Sequence, residues 1–491
     1  MAYFGYIDLI QNNVVSGWAA DSERPNESVT IEVFVANAPA IIATADIYRD
    51  DLQKAGVGNG YHGFEIAYAG QQPAARIRVR IRGTDFYLQN DAARAAKIHT
   101  ERLYNSTIDG APNLALGFTE RSAGSADESV AAEIIARWRR SSFEHGPTTP
   151  RKSDMWDHHV ANGHEPLLTL IEANDAAALA RYLCRIPIET VGEGVLQGDR
   201  AYRDLVATTD SGRNNSALVI QDSLVSLAQY LGITRLETTE QGPFGQAILA
   251  DPERLADAIA SAIGVPIVTP AVFHGLFGMR IGGGFIETRG LQALYAALRI
   301  KSIFGATRPG PDVFSDPVRA RICEIGAGFG LSAYFSCQLG VKHYTIVDLP
   351  SMLMMQHYFL RMAMPDATIK TLKDDEPIPA ADGVYLVTAA SFPSRKAERF
   401  DLVMNCDSFP EMGDKICKNY FDAIAERSRL LFSINQEANG PLSNNVNGPR
   451  QPVVSEMIGR RSDFTSVYRF RTWIRKGYAE ELWRTRAATT L

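Results

Sequence analysis

The stretch from Arg321 to Pro350, RICEIGAGFGLSAYFSCQLGVKHYTIVDLP, admits few folds. It opens on an apolar run, Ile322-Cys323-Glu324-Ile325, short enough for a buried parallel strand. Gly326-Ala327-Gly328-Phe329-Gly330 follows, then apolar residues at helical spacing from Leu331 to Leu339, then a second run, Tyr344 to Val347, that ends on Asp348. Strand, glycine turn, helix and strand make the first half of a doubly wound α/β sheet, where ligands sit beyond the carboxyl ends of the strands. Glycines at the turn let a ligand approach the backbone closely, and an acid ending the second strand can bind a ribose diol.

The spacing narrows the ligand. A dinucleotide fingerprint has its third glycine three residues after the second, with a pyrophosphate at the helix N-terminus. Here the third glycine comes two residues after the second, and Glu324 stands two residues before the first. A carboxylate there suits a ligand that carries an ammonium group and no phosphates. ExGxGxG followed by an acid after strand two resembles the S-adenosylmethionine site of class I methyltransferases. The candidate cofactor contacts are Glu324, Gly326, Ala327, Gly328, Gly330, Asp348 and Leu349, with Asn405 at the end of a later strand. The plain alternative is a tight strand-to-helix turn that binds nothing.

At 491 residues the chain is long enough for two or three domains with substantial cores. A net charge of −6 argues against general nucleic-acid affinity. No apolar run reaches the ~20 residues of a spanning helix, and MAYFGYIDLIQNN lacks the basic start of a signal peptide, so a cytoplasmic location is expected. Cysteines 184, 323, 337, 406 and 417 form no CxxC pair, and Cys323 and Cys406 fall in apolar strand patterns.

Residues 1–92 read as all-β. Val29 to Val35 and Arg76 to Ile81 alternate with period two, as half-buried antiparallel strands do. Gly17-Trp18-Ala19-Ala20-Asp21 and Gly60-Tyr61-His62-Gly63-Phe64 resemble a small β-sandwich module attached to bacterial carbohydrate-modifying enzymes, which implies a binding or assembly role. Residues 93–300 comprise a connector and a mainly helical substrate or cap region. Gly117 to Ser129 is polar and small, predicting a flexible link. Helical patterns follow, one with a polar break at Asn174-Asp175 and one opened by Asp251-Pro252, an N-cap with proline at the first position. Gly278 to Gly284 is expected to be a glycine-dense loop, and Gly290 to Ile300 returns to helical spacing. Residues 301–491 hold the α/β sheet, with strands expected at Asp401 to Cys406 and Leu430 to Ile434. A terminal antiparallel hairpin is expected from Val467 to Ile474 and Tyr478 to Thr485.

CEIGAGFG, YTIVDLP with a following QHYFL, NCDSFPEM, FSINQE and WIRKGYAEE occur in that order. Together they resemble a bacterial sugar O-methyltransferase family, densely from residue 320 onward. The resemblance implies methyl transfer from S-adenosylmethionine to a sugar hydroxyl, on a surface polysaccharide or its precursor. Methylation of another small molecule, or a catalytically silent scaffold in glycan assembly, are the alternatives. A hydroxyl is a poor nucleophile at neutral pH, so a positioned base is expected. Asp407, ending strand four, is the candidate, with Glu411, Glu437 and His274 as rivals. The plain alternatives are a helix cap for Asp407, a first-turn acid for Glu411 and a satisfied core residue for His274. Some sugar methyltransferases use a divalent cation, but Asp157-His158-His159 with His164-Glu165 matches no ligand spacing, and no metal ligand is assigned. The acceptor, the metal dependence and the oligomeric state, a homo-oligomer included, are left open.

Overall fold

A computed structural model describes residues 3–11, 13–36, 38–69, 77–90, 116–138, 164–208, 210–236, 251–305, 319–440 and 450–489. Internal contacts divide the chain into two units, Met1–Ile108 with Glu237–Phe244, and Asp109–Leu236 with Gly245–Leu491.

The period-two alternation of the first unit becomes strands with one buried face. They are β1 (Tyr3–Gln11), β2 (Val14–Asp21), β3 (Val29–Val35), β4 (Ile41–Ala45), β5 (Ile47–Tyr48), β6 (Tyr61–Ala67), β7 (Ile77–Ile81) and β8 (Gln89–Asn90), with a short helix α1 (Asp50–Lys54). A five-stranded sheet, β5-β6-β2-β1-β8, and a three-stranded sheet, β4-β3-β7, enclose one core that includes Ile7, Val15, Phe64, Ile31 and Val79. His62 is buried, and its Nε2 bonds the Pro25 carbonyl at 2.8 Å, which ties β6 to the turn after β2.

The second unit opens with β9 (Leu116–Phe118) and α2 (Ser125–Arg137). The sequence between them is held, not loose as its composition predicts. Thr119 Oγ1 donates to the Phe273 carbonyl at 2.6 Å, and Arg121 reaches Asp127 and the Val272 carbonyl. The polar break at Asn174-Asp175 separates α3 (Glu165–Glu172) from α4 (Ala176–Cys184); Asn174 has φ 54° and Asp175 caps the second helix. Helices α5 (Gly198–Ala207), α6 (Asp210–Tyr230) and α7 (Pro252–Ile263) follow, the last capped by Asp251 as its sequence predicts. The glycine-dense loop is instead a hairpin, β10 (Phe277–Ile281) and β11 (Gly284–Ile286). Gly282 and Gly283, at φ 50° and 75°, supply its two-residue turn. β10 also pairs with β9, giving a sheet β11-β10-β9.

Helix α8 (Thr288–Phe304) leads into the main sheet. β12 (Arg321–Ile325), α9 (Leu331–Gln338), β13 (His343–Asp348), α10 (Pro350–Ala363), β14 (Ile369–Thr371), β15 (Gly383–Thr388), β16 (Phe400–Cys406), α11 (Asp414–Arg427), β17 (Ser428–Gln436), α12 (Val454–Gly459), β18 (Phe464–Arg471) and β19 (Tyr478–Thr485) complete it. The strand order is β14-β15-β13-β12-β16-β17-β19-β18, parallel from β14 to β17, with β19 antiparallel to both its neighbours. The expected terminal hairpin is present. The order reverses between β13 and β16 on either side of β12, which places a ligand crevice at the end of β12. One face of the sheet buries Ile325, Val347, Val387 and Val403 against Phe392 and Phe421. Among the described residues no helix is long and apolar enough to cross a membrane.

α8 is pinned to the terminal hairpin by one buried acid. Glu480 on β19 accepts from the Tyr295 hydroxyl at 2.5 Å, from Arg299 Nε at 2.7 Å and from the Tyr468 hydroxyl at 3.0 Å. Both charges lie away from water, Glu480 fully and Arg299 largely, so removing one strands the other. Glu480→Ala should lower unfolding free energy by ~3–5 kcal/mol in urea titration. A loss below ~1 kcal/mol would make this network incidental.

Candidate active site

At the end of β12 the chain turns back through Gly326, Gly328 and Gly330, all at positive φ (73°, 57° and 97°). The first two glycines serve different ends. A Cβ on Gly326 would stand 2.1 Å from Ser408 Oγ, so that position must be bare for the turn to pack on the start of the β16 loop. A Cβ on Gly328 would meet only Val195 Cγ1, at 3.6 Å, so its surroundings are open. Side chains hold the turn from beneath. Asp348 Oδ2 accepts from the Ala327 amide at 3.0 Å and from Gln356 Nε2 at 2.7 Å, and the same Nε2 donates to the Gly328 carbonyl at 2.7 Å. Asp348 Oδ1 accepts from the Leu349 amide at 2.8 Å, which leaves that oxygen one further acceptor position. Phe329 is gripped edge-on by Phe273 and Phe359, with centroids at 5.5 and 5.0 Å.

Above the turn lies a cavity of about 110 Å³. Its floor is Glu324, Gly326, Ala327, Gly328 and Ser332; its roof is α8, through Arg289, Gln292, Ala293 and Ala296; its far wall holds Asp407 and Arg475. Glu324 is 1% exposed and forms no ion pair among the described residues. It accepts from the Tyr344 hydroxyl at 2.9 Å, and burial pushes its carboxyl up to about 7. Burial likewise raises Asp348 to about 6, its three hydrogen bonds notwithstanding.

The structure therefore brings Glu324, Gly326, Ala327, Gly328 and Asp407 to one cavity and sets Gly330, Asp348 and Leu349 beside it, outside the lining. Asn405 is a correction. Its Nδ2 donates to the Ile325 carbonyl and to Ser408 Oγ, and its Oδ1 accepts from Asn435 Nδ2 and the Phe409 amide. All its capacity is spent bracing β12, β16 and β17, so no cofactor contact remains for it.

The expected bases are placed unequally. Asp407, at φ 74°, turns its carboxylate into an ion pair with Arg475 at 2.5 Å and accepts from the Tyr478 hydroxyl at 2.8 Å. Arg475 also stacks on the Tyr478 ring, 3.7 Å from its centroid. Glu437 lies outside the cavity; Arg469 holds it at 2.7 and 2.9 Å and keeps its carboxyl below the usual range, which makes it a weak base. Glu411, in the turn Phe409–Glu411, does not line the cavity. His274 is half-buried and does not line the cavity; its Nδ1 accepts from the Arg121 amide at 3.3 Å. Asp157-His158-His159 lies outside the described residues. Among the described residues no group of three or more His, Cys, Asp or Glu side chains is placed to hold a metal ion.

Sequence reasoning missed the roof. Gly290 to Ile300 was legible as a helix, but nothing local says that α8 covers the glycine turn. It also missed Glu287, whose Oε2 caps α8 by accepting from the Arg289 amide at 2.7 Å and whose buried carboxyl is pushed up to about 7. The only local signal was a polar residue just before the helical run.

No family model and no curated protein matches the chain. Among solved structures, a ribosomal protein L11 methylase from Lactobacillus delbrueckii subsp. bulgaricus is similar at 11% identity and TM-score 0.26, over 40% of this chain and 78% of that one. The bifunctional kinase-methyltransferase WbdD is similar at 13% identity and TM-score 0.27, over 40% of this chain and 39% of its own. The N-terminal domain of EvdMO1, solved in the presence of SAH and D-fucose, is similar at 11% identity and TM-score 0.27, over 43% and 90%.

Glu324 gives a stability signature. Its folded carboxyl titrates near 7, above the ~4.3 of an unfolded glutamate, so keeping it ionised costs stability at high pH and nothing once both states are protonated. Glu324→Gln keeps the acceptor for Tyr344 without that cost. In urea unfolding the variant should exceed wild type by up to ~3 kcal/mol above pH 7, with the gap closing below about pH 4.5. A gap independent of pH would mean that Glu324 titrates alike in the folded and unfolded chain and that burial does not raise its carboxyl.

Proposed function

We propose that the chain is an S-adenosylmethionine-dependent O-methyltransferase acting on a sugar hydroxyl, in a bacterial surface polysaccharide or glycan precursor. The observation that carries the cofactor half is Glu324, a buried carboxylate without a cation on the floor of a cavity between the glycine turn and α8. An ammonium or sulfonium ligand would give this carboxylate the cationic partner it lacks. The open space at Gly328 lets the ligand lie against the backbone, and the spare acceptor position on Asp348 Oδ1 suits a ribose hydroxyl. At about 110 Å³ the cavity is smaller than the ~300–1,000 Å³ of whole ligand pockets, so it takes one end of such a molecule, with the rest over the turn toward Asp348. The cofactor brings an electrophilic methyl group; the residues around it orient it and keep water out, α8 acting as the cover. The sugar half rests on the ordered motifs from CEIGAGFG to WIRKGYAEE. Residues 1–92 then serve as an accessory module on a glycan-modifying enzyme.

Isothermal titration with S-adenosylhomocysteine tests the cofactor half. Wild type should bind, and Glu324→Gln and Asp348→Ala should each weaken binding by ~1.5–3 kcal/mol, as for a lost charged hydrogen bond. Asp348→Ala should also lower the melting temperature, because the carboxylate holds the Ala327 amide. If wild type does not bind, or both variants bind as wild type does, the reading falls.

A further inference from the structure

A second cavity, of about 270 Å³, adjoins the first. Arg289 lines both, and the chain runs from Val195 in one to Leu196 and Gln197 in the other. Glu287 on the second wall and Ala293 on the first are separated by under two turns of one helix, about 9 Å at 1.5 Å per residue. Val219 and Arg289 stand exposed at the mouth; Leu276, Ile220 and Glu287 are buried at the floor.

The floor is chemically incomplete. Glu287 is 6% exposed; its Oε2 caps α8, while its buried Oε1 has only the Gly290 amide and the Thr269 hydroxyl close by and makes no well-formed hydrogen bond. Gln197 spends its Oε1 on the Phe277 amide at 2.8 Å, and its buried Nε2 is likewise unpartnered. The Thr269 hydroxyl lies near Glu287 and also makes no well-formed bond. Buried polar atoms left so cost free energy that a ligand hydroxyl recovers, because it can donate to a carboxylate and accept from an amide at once. Leucine, isoleucine and phenylalanine surfaces opposite favour a ring with one apolar face.

We propose that this second cavity is the acceptor site, taking one hydroxylated ring with an apolar face and holding its hydroxyls on Glu287 and Gln197, beside the cavity that takes the cofactor. The assignment rests on the methyltransferase reading above. It explains why Arg289 is shared, since a residue at the junction touches both partners of a transfer. It also gives the acceptor an acid not already committed to an arginine, unlike Asp407 and Glu437.

The test is saturation-transfer NMR on the full chain saturated with S-adenosylhomocysteine, using methyl α-L-rhamnopyranoside, a 6-deoxy ring with an apolar edge, as probe. Wild type should transfer saturation to the probe's ring protons. Val219→Trp at the mouth and Leu205→Trp on α5 each fill the cavity from a side that does not touch the first, and each should cut the signal at least about tenfold by steric exclusion. S-adenosylhomocysteine affinity should stay within about twofold in both, since neither residue lines the first cavity. A probe signal absent in wild type, or kept in both filled variants, overturns the acceptor site and leaves the cofactor site standing. Failure of wild type to bind S-adenosylhomocysteine overturns both. If one variant misfolds, the other decides.

Discussion

The carboxylate of Asp348 and the amide of Gln356 carry the glycine turn between them. One oxygen of Asp348 receives the Ala327 amide, Gln356 bridges that oxygen to the Gly328 carbonyl, and the other oxygen accepts from the Leu349 amide just before α10. A turn of three glycines has little conformational preference of its own, and without these bonds it would sample many shapes. Hydrogen bonds fix its backbone, the Phe273, Phe329 and Phe359 rings fix its height, and the open side at Gly328 follows from both. The acid at the end of β13 therefore builds the site before it could touch any ligand.

The acids around the site divide by company. Asp407 and Glu437 sit on arginines, and Arg469 holds the Glu437 carboxyl below its usual range. Glu324 and Glu287, buried, and Asp348, half-buried, form no ion pair, and desolvation raises all three toward neutrality. A chain that merely needed stable packing would replace such groups with apolar ones.

Much of the fold was legible because its signals are local. The apolar run, glycine turn and terminal acid of Arg321 to Pro350, the period-two alternation of Val29 to Val35, and the Asp251-Pro252 helix start each depend on a handful of neighbours. The failures have the opposite character. Gly278 to Gly284 looked like a loop because its strands are short, and they exist through pairing with Leu116–Phe118, far away in sequence. Asn405 looked like a ligand contact because it ends a strand at the right edge; which way its amide points is set by Ser408, Asn435 and the Ile325 carbonyl. Arg475 carried no more signal than its arginine neighbours until Asp407 was found opposite it. Tertiary partners, which no window of sequence contains, decide such cases.

The pairing of β9 with β10 has a bearing on synthesis. Thr119 is secured by the Phe273 carbonyl and gives its own hydroxyl oxygen to the Leu276 amide, so its partners are 154 and 157 residues downstream. At translation speeds of about 5–20 residues per second, the segment that begins this unit waits on the order of ten seconds for the strand it needs. During that interval the short apolar edge Leu116-Gly117-Phe118 is unpaired beside helices that are already emerging. Closing so long a loop adds little to the entropy cost relative to a loop half its size, since the cost grows only with the logarithm of length. The vulnerability is thus one of timing on the ribosome, and slow codons between residues 119 and 273 would lengthen it.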